Sequence, residues 1–254
     1  MHKLSVAIIT LNEEAHIEQC IRSVLRVADE VVVLDSFSTD NTAALATALG
    51  ARVFQEPFAG FTEQKNKAAS LCSYPYILSI DADEQLSDEL QESILHEKGL
   101  GFPAQVYAMN RLNFYQGRPV KTCGWYPDTK VRLWYKPCAH WEGGLVHEKL
   151  QINHAAKPKI LHGDLWHYTY ANKEEMAQKV ERFARLAAEQ LTHKPAILLR
   201  LKMCISPAVR FFRMYFLRGG FITGKNGWEI CYYHTREVYL RYRYALELQN
   251  NVRH

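Results

Sequence analysis

Residues 76–84 read Tyr-Ile-Leu-Ser-Ile-Asp-Ala-Asp-Glu. Tyr76 to Ile80 form a short apolar run suited to a buried strand, and the run passes directly into three carboxylates. On an extended strand end, residues two apart point to the same side. Asp81 and Asp83 can therefore converge on one hard cation, or on a ribose hydroxyl plus a cation. An acidic pair of this kind is commonly just a solvated turn, so its meaning depends on where in the fold it sits.

Upstream, short apolar runs alternate with helical patterns, which is the signature of βαβ units and a parallel sheet. Leu4 to Ile9 and Val31 to Leu34 read as buried strands. Between them, Ile17, Cys20, Ile21, Val24 and Leu25 make a helical stripe within 14–27. Ser38 is placed to cap a helix ending near Gly50. Arg52 to Gln55 reads as a third strand, and Thr62 to Leu71 as a helix. The acidic run therefore closes a fourth strand, and Ser87 followed by Asp88 and Glu89 opens the next helix with acids at its positive end. In open α/β sheets, ligands bind beyond the carboxyl ends of the strands. Three polar loops fall there, at 12–14, 35–40 and 81–84.

From residue 104 the pattern turns to alternation and aromatics. Strands are expected at 106–109 and 131–135, around a turn at 116–119, as antiparallel additions to the sheet. A helix is expected over 173–191 and a pair of helices over 196–218, broken near Pro207.

The chain has 254 residues, 48% of them apolar, with 31 Lys+Arg against 27 Asp+Glu and a net charge of +4. A disordered tail, a collagenous chain and a disulfide-stapled miniprotein are excluded. Residues 1–100 hold 7 basic and 16 acidic side chains, and residues 101–254 hold 24 and 11, so the balance runs from −9 to +13. Such asymmetry suggests different partners for the two halves. Six cysteines with no close CxxC pair suggest neither a zinc site nor a disulfide framework. The apolar run at the start is too short for a signal peptide, and no uncharged stretch reaches the roughly 18 residues of a membrane span. A cytoplasmic placement is expected, at the inner face of the cell membrane.

Asp35 ends a buried strand, an expensive place for a carboxylate unless it binds a donor such as a nucleobase or ribose. Thr10-Leu11-Asn12-Glu13-Glu14 offers partners for a base, and Gln64-Lys65-Asn66 lies on a helix aimed at the same edge. These segments, with Asp35 to Asp40 and Asp81-Ala82-Asp83-Glu84, resemble the family 2 glycosyltransferases of the GT-A fold. The segments Gly124-Trp125-Tyr126-Pro127-Asp128, Arg132-Leu133, Val146-His147-Glu148 and Arg210 to Tyr215 resemble a narrower branch, the lipopolysaccharide-core β-1,4-glucosyltransferases.

The resemblance implies inverting transfer from a nucleotide sugar, a UDP-sugar, with Mg2+ or Mn2+, onto a saccharide or glycolipid acceptor. It implies a mostly parallel sheet flanked by helices, with antiparallel additions and a basic helical C-terminal segment. Thr10, Leu11, Asn12 and Glu13 would border the nucleotide, Asp35 would hold the base, Lys65 would lie near the nucleotide, Asp81 and Ala82 would approach the ribose, and Asp83 with Asp81 would hold the metal. Residues 1–100 would form the nucleotide-sugar half, 101–172 the acceptor-side half, and 173–254 the helical extension. Where the branch has an aspartate, Gly220-Phe221-Ile222-Thr223-Gly224 has Thr223.

Inverting chemistry needs a carboxylate opposite the leaving diphosphate to take the acceptor proton. Glu148 and Asp128 are the candidates, with Glu148 favoured. His147 could complete a metal shell, although Mg2+ prefers oxygen. Trp125, Tyr126, Arg132 and His147 are expected on the acceptor side, and Trp134 and Trp141 serve either sugar stacking or the core.

Between Glu189 and Glu229 there is no acid, while arginines and lysines alternate with large apolar residues. This suits an amphipathic segment on an anionic membrane, or a helical cap with solvated arginines. Nucleic acid is disfavoured, because no recognition motif accompanies the basic stretch and the acidic half would repel phosphate. The oligomeric state is not readable from the sequence. Two other classes compete. A sugar nucleotidyltransferase would need a glycine-rich first loop, which Thr10 to Glu14 lacks. A sugar-binding or scaffold protein on a degenerate transferase fold would fail to bind UDP in a metal-dependent way.

Overall fold

The computed structural model describes residues 2–143, 148–152 and 157–251. Two compact units emerge, Met1–Leu112 with Asp128–His167, and Asn113–Pro127 with Tyr168–His254.

In the first unit the chain runs β1 (Leu4–Thr10), α1 (Ile17–Val24), β2 (Glu30–Asp35), α2 (Thr42–Ala48), β3 (Arg52–Gln55), α3 (Phe61–Leu71), β4 (Tyr76–Asp81), β5 (Glu84–Leu86) and α4 (Asp88–Gly99). β6 (Val106–Tyr115) follows, its last residues belonging to the second unit with the short β7 (Arg118–Pro119). Back in the first unit come β8 (Asp128–Tyr135), β9 (Ala139–Glu142), β10 (Lys149–Ile152) and β11 (Lys159–Tyr170), the last three residues of β11 belonging to the second unit. The sheet order is β3-β2-β1-β4-β8-β6-β11-β5, with β9 and β10 forming a separate hairpin. The expected GT-A type arrangement is present: β3, β2, β1 and β4 pair in parallel, and β8 joins β4 antiparallel.

Burial explains the order. β1, β2 and β4 are covered on both faces, so their cores are continuous apolar runs rather than alternating ones. Register then sets the ends of these strands level. Thr10 lies opposite Asp35, and Ile9 opposite Asp81. Helix α4 starts as expected, with the Ser87 hydroxyl accepting from Leu90 N at 3.2 Å.

Two local expectations are corrected. Ser38 does not cap α2. Its hydroxyl donates to Asp35 and accepts from Asn12 N at 2.8 Å, while Asp40 accepts from Thr42 N at 3.0 Å. Pro207 does not break its helix either.

The second unit holds α5 (Lys173–Glu189), α6 (Ala196–Phe212) and α7 (Gly224–Asn251). α6 runs through Pro207 and ends in a π-helical turn, Arg213–Leu217, and a 3-10 turn, Gly220–Thr223. A proline removes one amide donor, and α6 keeps its course because it packs along α7. The core of this unit joins Tyr115, Met176, Val180, Met214, Ile230 and Leu240. All six cysteines are free thiols, five of them buried and Cys204 exposed. Among the described residues, no helix is long and apolar enough to cross a membrane.

Candidate active site

The loops after β1 and β2 are tied to one another by their own polar groups. Asn12, at φ 55°, accepts from Thr39 N at 2.8 Å through its side chain, and Glu13 N donates to Thr42 Oγ1 at 2.8 Å. Asp35 is fully buried and accepts from Ser38 N at 3.0 Å, from the Ser38 hydroxyl and from Gln55 Nε2 at 3.0 Å. This buried carboxylate, expected to need a ligand, is thus met by three donors of the chain itself, two from Ser38 and one from Gln55. Thr10 is buried at the neighbouring strand end, and its hydroxyl has no partner among the described residues. Leu11 is exposed and Ala82 is buried.

At the end of β4, charge is arranged as an alternating series. Glu148 lies 2.9 Å from Lys65, Lys65 3.0 Å from Asp81, Asp81 2.9 Å from Arg132, and Arg132 2.8 Å from Glu84. Glu84 lies 3.5 Å from Arg111, Arg111 2.8 Å from Asp128, and Asp128 2.9 Å from Lys130. The two sequence-predicted bases thus belong to one connected network, Glu148 ending it on one side.

Strand register builds much of this network. Arg111 and Asp128 are directly opposed across β6 and β8, where opposite charges stabilise the pair. Leu133 is opposed to Leu78 across β8 and β4, and continuing that register puts Arg132 on the same pleat face as Ser79 and Asp81. Glu84 also accepts from Asp81 N at 2.9 Å, closing the turn.

Burial makes these partners obligatory. Lys65 is 2% exposed, Arg132 4% and Glu84 0%, and a buried charge without a partner is strongly unfavourable. Burial alone would push the Asp81 carboxyl up, but Lys65 and Arg132 override it and hold it well below the usual carboxylate range. Asp128 is lowered as well: burial opposes ionisation, and Lys130 and Arg111 prevail. Arg132, expected on the acceptor side, is buried with its guanidinium bound to Asp81 and Glu84.

Trp141 lies beneath this network. The Lys65 ammonium sits 4.8 Å and the Arg132 guanidinium 5.7 Å from its ring. Asn66, next to Lys65 on α3, grips the Trp141 backbone from both sides, donating to its carbonyl at 2.8 Å and accepting from its N–H at 2.9 Å. Trp141 and Trp134 are both buried and meet edge to face at 6.0 Å, so they are core residues.

Asp83 faces His167 of β11, Oδ2 to Nε2 at 3.2 Å. Sequence reading missed His167, Glu84 and Arg111. His167 is opposed to Glu84 only because β11 returns antiparallel to β5 from some 80 residues away, and no local signal announces that pairing. Glu84 could have been found, since it shares the acidic run with Asp81. A carboxylate oxygen with an imidazole nitrogen is a donor set that suits Mn2+ better than Mg2+. Among the described residues, no three His, Cys, Asp or Glu side chains converge as a complete metal cage. Any ion here would therefore complete its shell from a ligand or solvent.

His147 lies outside the described residues. Trp125 and Tyr126 belong to the second unit. There Trp125 Nε1 donates to His234 Nε2 at 3.0 Å, and Lys121 stands 5.3 Å from the Tyr126 ring. The hydroxyl of Thr223 pairs with that of Thr122.

Several known proteins share this sequence pattern. An uncharacterized glycosyltransferase of Rickettsia felis is 33% identical over 244 residues, covering 89% of this chain and 83% of its own. The lipopolysaccharide core biosynthesis glycosyltransferase LpsC of Rhizobium meliloti is 29% identical over 267 residues, covering 98% and 96%. A crystal structure of glucosyl-3-phosphoglycerate synthase from Mycobacterium tuberculosis, in complex with Mn2+ and uridine-diphosphate-glucose, is 28% identical over 44% of each chain, with a TM-score of 0.37. The family model described as Glycosyl transferase family 2 matches residues 5–157, the span that carries β1, the acidic end of β4 and Glu148. With more than half its length matched, and the matched part holding the charged network, the chain belongs to glycosyl transferase family 2.

Proposed function

We propose that this glycosyltransferase performs an inverting transfer from a UDP-sugar to a hydroxyl of a saccharide or glycolipid acceptor, in lipopolysaccharide-core or related cell-envelope synthesis on the cytoplasmic side. The observation that carries the reading is Lys65 bridging Asp81, at the donor end of β4, to Glu148. One buried cation thereby joins the nucleotide-side acid to the carboxylate that would serve the acceptor.

In this reading Thr10, Leu11, Asn12 and Glu13 border the nucleotide with Asp35, and Asp81 and Ala82 meet the ribose. Asp83 and His167 would hold Mn2+ or Mg2+. When bound, the cation neutralises charge on the departing diphosphate. Glu148 accepts the proton of the acceptor hydroxyl as its oxygen bonds to the sugar C1, and the bond from C1 to the diphosphate oxygen breaks with its electron pair leaving on the nucleotide. Lys65 orients Glu148 and keeps Asp81 ionised. Asp128 is assigned the lesser part, because it is held between Arg111 and Lys130, which prevail over burial and keep its carboxyl low. The near full-length similarity to LpsC supports the envelope setting.

The test is a panel of UDP-sugars, scored for hydrolysis and for transfer to core saccharides, with and without Mn2+. One sugar should be consumed in a metal-dependent way, and Glu148→Gln should bind that donor normally while losing transfer. Metal-independent turnover, or normal transfer by Glu148→Gln with Asp128→Asn inactive, would overturn the assignments of metal and base respectively.

A further inference from the structure

Helix α6 has an unusual distribution of apolar residues. Ile197, Leu201, Ile205, Val209, Phe212 and Phe216 are all exposed, Ile197 to 81%. Their spacings of four, four, four, three and four residues keep them on one stripe of a helix that continues into the π turn. At about 1.5 Å per residue the stripe is roughly 30 Å long. The opposite side of α6 is already used: Leu199 is its one fully buried residue and packs with Ala188 and Ala245. At the far end of the stripe Leu217, Phe221, Ile222 and Trp228 extend the same kind of surface around the 3-10 turn, all exposed.

A contiguous apolar surface of this size marks an interaction site rather than ordinary exposure. Its charge identifies the occupant. No carboxylate occurs between Glu189 and Glu229, while Arg200, Lys202, Arg213, Arg218 and Lys225 fall within that span. A second copy of this chain would bring the same cations against one another. Anionic headgroups would neutralise them. No helix among the described residues can cross a bilayer, so the geometry is that of a helix lying in the interface, with apolar side chains at the acyl boundary and cations in the headgroup layer.

We infer that the outward stripe of α6, with the 3-10 turn that follows it, is an interfacial docking surface for an anionic lipid bilayer. Neither apolar burial nor charge suffices alone, so the contact is reversible and responds to both lipid charge and salt. The surface uses none of the residues of the charged network, and its test does not depend on the sugar transferred.

The experiment is sedimentation of the full chain with phosphatidylcholine vesicles, with and without phosphatidylglycerol, across a salt series, alongside light scattering of the protein alone. The expected result is binding only when phosphatidylglycerol is present, weakening with salt. Ile205→Gln combined with Val209→Gln should abolish it, and Arg200→Gln should lower the partition coefficient about fivefold. Circular dichroism and UDP binding should be unchanged in both variants. Absence of wild-type binding, equal binding to uncharged vesicles, or full binding by the double variant would overturn the inference. A wild-type dimer that the double variant converts to a monomer would likewise overturn it, assigning the stripe to a second copy.

Discussion

The Nζ of Lys65 stands 2.9 Å from Glu148 while also lying 3.0 Å from Asp81, and only 2% of the lysine is exposed. One buried ammonium thus serves two carboxylates that come from distant parts of the chain. Removing it leaves both short of a partner. Lys65→Met should depress kcat/KM by at least about 100-fold, the scale of a misplaced proton acceptor. The decisive measurement is the split between steps: UDP-sugar affinity and kcat should both fall, whereas Glu148→Gln should lower kcat alone.

Glu148 and Asp128 can be separated by their pH profiles. In wild type, the acid limb of kcat reports the base in the ternary complex. Asp128→Asn should leave that limb where it is and lower the rate modestly. Glu148→Gln should cost about 100- to 10,000-fold and erase the limb. An erased limb in Asp128→Asn would reverse the two roles.

Arg132 is the counter-ion of two carboxylates in the least accessible part of the network. Arg132→Met should destabilise the fold by at most about 3–5 kcal/mol in urea unfolding, because Asp81 and Glu84 each lose one of two cationic partners, Asp81 keeping Lys65 and Glu84 keeping Arg111. The pH dependence has a definite sign. Asp81 has a folded-state pKa below its unfolded value, so its stabilisation is complete above about pH 4 and fades as pH drops toward the folded pKa. In Arg132→Met the onset, set by the unfolded-state pKa, should stay where it is, while the loss should be smaller and end at a higher pH than in wild type.

Gly163 has φ +91°, and a Cβ there would meet Leu90 N at 2.3 Å. Gly50 has φ +84° with open space around it. Gly50→Ala should cost about 1 kcal/mol, from backbone strain alone. Gly163→Ala should cost clearly more and loosen the start of α4, as read by thermal unfolding of the two variants.

Thiol reactivity checks the cysteine distribution. Cys204 alone is exposed, and burial pushes the Cys72 thiol up to about 12. One thiol should react rapidly with an aromatic disulfide reagent at pH 8 and five should lag, all six reacting after denaturation. Fast loss of two or more in the folded protein would contradict the packing of the buried set.

The βα half was legible because its strands are buried on both faces. Residues 52–55 appear as β3 where the apolar run and the flanking loops put them, and Ser87 begins its helix as its residue type suggests. Of the site, Asp81 could be singled out from residue type and its place at a strand end, and Lys65 and Glu148 from the family resemblance; Lys65 does meet both acids. Arg132 was visible as a motif residue but not as a buried counter-ion, since that depends on how β8 lies against β4. His167 and Arg111 were invisible for the same reason: their neighbours are set by antiparallel pairings between distant strands, which leave no trace in local periodicity. Pro207 misled because the cost of one missing amide donor is local, whereas the helix is also supported by its packing against α7.

The grip of Asn66 on Trp141 has a mechanical consequence. Asn66 follows Lys65 on α3. Trp141 lies in β9, opposed to Leu150 of β10, and that strand begins one residue after Glu148. The amide side chain therefore acts as a rivet between the helix carrying the cation and the hairpin carrying the carboxylate. A displacement of that hairpin pulls on α3 and carries the lysine with it, so the spacing between the two charges is held by the frame as well as by their attraction. Loosening the rivet with Asn66→Ala would let the two parts drift independently even with every charged group intact.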